Sequence, residues 1–82
     1  MRIFIKNLNM NASENRLHKL FLKFGSVLKV EICAERSGKP LGYGFVTMKE
    51  NTEGRNAINE LNNINFMNQF LEIHEVNSNN LI

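Results

Sequence analysis

The chain of 82 residues has room for one domain and one modest core. With 43% hydrophobic and 22% charged residues it reads as globular rather than disordered, and a net charge of +2 is mildly basic but falls well short of a polycationic stripe. One cysteine, Cys33, excludes an intrachain disulfide and a four-thiolate metal site, and no apolar run approaches the ~20 residues of a membrane span.

His18 and His74 stand far apart without a second thiol, so no metal site is expected. No signal peptide is expected before the first strand-like segment, and a reducing, cytoplasmic setting is expected.

Taken in order, residues 2–8 (Arg-Ile-Phe-Ile-Lys-Asn-Leu) form a short β-rich run. Successive strand side chains point to opposite faces, so Ile3 and Ile5 share the buried side while Phe4 and Lys6 share the other. A phenylalanine beside a lysine, away from the core, is out of place unless it is used. Ser13 then offers a helix-capping hydroxyl and Glu14 a favourable first-turn charge. Leu17, Leu20, Phe21 and Phe24 follow at i, i+3, i+4 and i+7, an amphipathic helix that Gly25 should stop from the C′ position. Arg16, Lys19 and Lys23 line its polar side and read as a solvated surface.

Residues 27–33 return as a strand with Val30 and Ile32 inward and Lys29, Glu31 and Cys33 outward. Residues 34–40 hold Gly38 and Pro40 and read as a hairpin loop. The next eight residues, Leu-Gly-Tyr-Gly-Phe-Val-Thr-Met from Leu41 to Met48, alternate strictly: Tyr43 and Phe45 on one face, Gly44, Val46 and Met48 on the other. Asn51 or Thr52 caps a second helix with Gly54, Ala57, Ile58 and Leu61 on its inner side, and Asn62 and Asn63 end it. Phe66 and Met67 fall in a connection. Residues 70–76 close the fold as one strand with Leu71 and Ile73 inward and Glu72 and His74 on the side of Phe4.

The resulting order, βαββαβ, defines an α+β fold of ferredoxin-like topology. Two interleaved right-handed βαβ units give a four-stranded antiparallel sheet of order 4-1-3-2 with both helices on one face. The domain is expected over residues 1–76, followed by a short tail over 77–82. The first and third strands become central neighbours, which places Phe4 beside Tyr43 and Phe45. Nothing remains to cover that side, and three uncovered rings are a solubility liability without a use.

The segments Ile3-Phe4-Ile5-Lys6-Asn7-Leu8 and Leu41-Gly42-Tyr43-Gly44-Phe45-Val46-Thr47-Met48 resemble the hexamer and octamer ribonucleoprotein motifs of the RNA recognition motif family. The resemblance runs from Arg2 to about Val76 and includes the pair Leu61-Asn62 at the end of the second helix. The start at Met1 looks like the small single-domain members found in bacteria. The resemblance implies a non-catalytic module that binds single-stranded RNA, in RNA metabolism or post-transcriptional regulation, without a cofactor, a membrane or a small-molecule substrate. It further implies that Phe4 and Tyr43 each stack on a base and that Phe45 inserts between two sugars. Stacking makes little demand on sequence or on the 2′-OH, so single-stranded DNA is a second candidate ligand. Lys6, Lys29 and Lys39 are candidate phosphate contacts, and His74 a polar or stacking contact.

Departures from the motif temper the expected affinity. Leu41 stands where the family usually has a basic residue, and Met48 where an aromatic is frequent. Glu31 and Glu72 put negative charge on the same face. A peptide-binding use of the fold is the alternative, but Asn68-Gln69-Phe70 lacks the arginine of the usual signature. Catalysis has no support in the residues: the chain has no aspartate, no nucleophile–base pair at plausible positions and no phosphate-cradling glycine loop.

Overall fold

A computed structural model describes residues 1–77. The expected tail beyond Asn77 lies outside the described residues. Strand β1 (Arg2–Lys6) leads to helix α1 (Glu14–Leu22), the hairpin β2 (Val27–Ala34) and β3 (Pro40–Met48), helix α2 (Asn51–Leu61), the short β4 (Asn65–Phe66) and β5 (Gln69–Phe70), and finally β6 (Glu72–Val76). The main sheet is antiparallel with order β2-β3-β1-β6, which is the expected 4-1-3-2 arrangement. Both helices pack on the face of Ile3, Ile5, Val46, Met48 and Ile73, where Leu17, Phe21, Ala57 and Leu61 complete the core. Among the described residues no polar or charged side chain is buried.

The start of α1 follows the expected chemistry. Ser13 is extended, and its Oγ accepts the Arg16 N–H at 3.1 Å, a cap generally worth about 1 kcal/mol. Its end does not, because the helix closes on Lys23, with the Phe24 N–H turned back to the Phe21 carbonyl in a tighter i→i+3 bond. Gly25 therefore lies one residue beyond C′. It serves a close approach instead: a Cβ there would run into the Glu53 side chain, whose Oε1 accepts the Ser26 N–H at 3.3 Å.

Helix α2 also departs from expectation. Neither Asn51 nor Thr52 is the cap, since the first turn closes on Glu50, whose carbonyl accepts the Gly54 N–H at 3.0 Å without any side-chain cap bond. Gly54 is buried against Met1, whose side chain would have to shift to admit a Cβ. At the far end Asn63 adopts φ +68°, as an asparagine can. Asn62 Oδ1 accepts the Ile73 N–H at 2.9 Å and ties the helix end to β6.

Four strand boundaries move; β2 and β3 each take in one residue of the expected loop, Ala34 and Pro40, which pair with each other. The first strand ends at Lys6 rather than Leu8 because Asn7 turns the chain at φ +61°, while Leu8 stays buried and bonds to the Gly42 carbonyl at 2.8 Å. The stretch 70–76 is two elements. Met67 and Asn68 both have positive φ, the signature of a type I′ turn, and fold Gln69–Phe70 back onto Asn65–Phe66. Leu71 then bonds to Ile64 and Asn63 rather than to β1, so β6 begins only at Glu72.

Candidate nucleic-acid interface

Pairing register determines which side chains meet on the face opposite the helices. One row across the sheet runs Glu31, Phe45, Phe4, His74; on one side of it lie Lys29, Thr47, Arg2 and Val76, and on the other Tyr43, Lys6 and Glu72. Phe4 and Phe45 are direct cross-strand partners, with ring centroids 5.1 Å apart and planes inclined by 26°. Tyr43 meets Phe4 edge-on, at 5.6 Å and 75°. Such pairs contribute about 0.5–1.5 kcal/mol beyond their buried area, so the rings hold one another in place before any ligand arrives. All three are half-buried, shielded by each other and by neighbouring sheet-face side chains. Among the described residues the core side chains and the helices lie on the other face.

The polar side chains frame the rings in two charged clusters. On the β2 side, Arg2 and Lys29 reach Glu31 at 3.6 and 3.9 Å. On the β6 side, Lys6 and His74 Nε2 reach opposite oxygens of Glu72 at 3.4 and 3.2 Å. Of the expected contacts, then, Lys6, Lys29 and His74 surround the rings, each engaged by a carboxylate. Lys39 is apart from them, exposed in the β2–β3 loop, where its carbonyl accepts the Glu35 N–H at 2.8 Å.

Arg2 was not singled out by the sequence reading. To reach Glu31, two strands away, it crosses Phe45, and its guanidinium carbon sits 3.9 Å from the ring centroid. Phe45 is therefore not a bare ring in the free protein. The signal was available only through register: a basic residue two positions before Phe4, diagonal to Phe45 on the neighbouring strand.

Glu72 shows the electrostatics of the β6 cluster. A hydrogen bond from His74, and after it the charge of Lys6, hold its carboxyl below the ordinary glutamate value. A lowered folded-state value means that the cluster's contribution is present above the unfolded carboxyl pKa and is lost as pH falls through the folded one. In an NMR pH titration the Glu72 carboxyl should have its midpoint below that of a free glutamate, and His74→Ala should move it back up. An unmoved midpoint in that variant would refute the assigned cause.

An open-faced α+β sandwich that displays a fixed aromatic trio within a frame of paired charges is a defined architectural class. A family model described as RNA recognition motif matches residues 3–72, and the chain belongs to that family. The RNA recognition motif is a non-catalytic binding domain. The mouse (Mus musculus) protein boule-like is 33% identical over 72 residues, covering 88% of this chain and 25% of the relative. The chain thus spans about a quarter of the length of the curated relatives it matches. These relatives come from mouse, human and macaque, and they lend no support to the expected likeness to bacterial members. Among solved structures, the crystal structure of RNA binding protein PG1 superposes with a TM-score of 0.90 at 32% identity over 93% of both chains. The Sxl-lethal protein/RNA complex superposes with a TM-score of 0.88 at 23% identity, over 93% of this chain and 46% of the other, and attests the shared fold.

Proposed function

We propose that this chain binds single-stranded RNA by laying bases on Phe4 and Tyr43 and setting Phe45 between two sugars, with a role in RNA metabolism. The observation that carries the reading is the trio itself: the rings of Tyr43 and Phe45 at 5.6 and 5.1 Å from that of Phe4, on a sheet face that no described helix covers. Every base has a π face, so such a surface binds a strand with little demand on its sequence. Lys6, Lys29, Lys39 and Arg2 supply phosphate or base-edge contacts around it, and His74 a polar one. Engagement of Lys6 and Lys29 by Glu72 and Glu31 supports modest rather than tight binding, since those ion pairs compete with phosphate. A cytoplasmic setting, in keeping with a single unpaired cysteine, belongs to the same proposal.

The test is an NMR titration with short mixed-sequence RNA and DNA oligomers. Shifts should concentrate at Phe4, Tyr43, Phe45 and their row neighbours, and be larger with RNA. Shifts confined to α1 and α2 would contradict the proposal.

A further inference from the structure

We propose that Phe70, as a fourth ring beyond the three-ring platform, carries a further base of the bound strand; this rests on the RNA-binding reading above. Phe70 is 64% exposed, although every other phenylalanine of the chain is buried or half-buried save this one. Scattered exposed apolar residues are ordinary on a protein surface, and exposure alone would signify nothing. Phe70, however, is held in a definite place. Its carbonyl accepts from Asn7 Nδ2 at 2.9 Å, while Gln69 Nε2 donates to the Asn7 carbonyl at 3.0 Å. These bonds pin the β4–β5 ribbon to the end of β1, the strand that carries Phe4. Asn7 itself adopts φ +61°, where the chain turns at the end of β1.

The position adjoins the platform. A surface depression of about 510 Å³ is lined by Lys6, Asn7, Asn63, Phe70, Leu71 and Glu72. A second, of about 330 Å³, has Phe4 and Tyr43 in its wall and shares Lys6 and Asn7 with the first. A strand leaving Tyr43 can thus pass over Lys6, whose ammonium suits a phosphate, and set its next base on Phe70. In that depression the Asn63 carboxamide makes no hydrogen bond among the described residues. It offers a donor and an acceptor side by side, the complement of a base edge. An apolar ring and an amide beside Lys6, whose ammonium would exchange Glu72 for a phosphate, fit a nucleotide better than an apolar peptide side chain, which would leave the amide unused.

The experiment measures fluorescence anisotropy with 5′-labelled mixed-sequence RNA of three and of six nucleotides. Phe70→Ala should weaken binding of the six-nucleotide probe about tenfold, toward the low end of what one stacked base contributes, and leave the three-nucleotide probe unchanged. Phe70→Trp should keep or raise the six-nucleotide affinity. Equal affinity of the original protein and Phe70→Ala for the longer probe would overturn the further site and leave Phe70 as a protein contact, with the platform untouched. Equal loss for both probes would also overturn it, by showing that the ring acts through the platform. Failure of the underlying reading looks different: neither probe would bind the unaltered protein.

Discussion

Replacing Phe4 and Tyr43 together with alanine should lower affinity for short single-stranded RNA about a hundredfold or more. Each stacked base contributes ~1–3 kcal/mol, so removing two rings forfeits at least ~2 kcal/mol. The substitution also takes away the edge-on contact between the two rings and the stack of Phe4 on Phe45. The Phe45 ring that remains loses its support and keeps only Arg2 above it. The fold should survive, because both side chains project from the face opposite the core and leave Ile3, Ile5 and Val46 in place. Calorimetric titration with RNA, beside a circular-dichroism melt, separates the two effects. Undiminished affinity in a folded double variant would remove the platform as the binding surface.

Phe21→Ala should do the reverse, costing stability while sparing the interface. Phe21 is fully buried and is the largest of the fully buried side chains, reaching from α1 into the space between the helices and the sheet. Phenylalanine-to-alanine truncation in a core costs about 3–5 kcal/mol, from lost transfer free energy and the cavity left behind. Natural domains have only ~5–15 kcal/mol in total, and one this small sits near the lower end. Urea denaturation should therefore show a midpoint far below that of the original protein, with a similar slope. A midpoint within a few tenths molar would mean that the helix layer collapses onto the void, contrary to the packing described. Two residues of one type, Phe4 and Phe21, thus separate binding from folding.

Alternation and heptad-like spacing carried much of this structure. The inward pairs Ile3/Ile5, Val46/Met48 and Leu71/Ile73 could be read because burial enforces period two, and the outward rings followed from the same parity. What was not legible depends on backbone hydrogen bonds that leave no mark on hydropathy. The break at Leu71 preserves the alternation from Phe70 to Ile73 while diverting the Leu71 N–H to Ile64, so one strand was expected where a ribbon and a strand occur. The Met67-Asn68 turn lacks the glycine that usually announces it. Arg2 gave no local signal, because its partners Phe45 and Glu31 lie 43 and 29 positions away and meet it only through register. The lysines were identified as candidates without the carboxylates that hold them.

Those carboxylates bear on the tempo of binding. Across the face, Arg2, Lys6 and Lys29 stand against Glu31 and Glu72, which leaves a single positive charge when His74 is neutral. A surface so nearly balanced casts little long-range field, and a polyanion approaching it is scarcely steered. Encounter rates should then sit near the unsteered ~10⁵–10⁶ M⁻¹s⁻¹ and vary little with salt. Transcripts would be sorted by how long they stay, a quantity governed by the rings, rather than by how quickly they arrive.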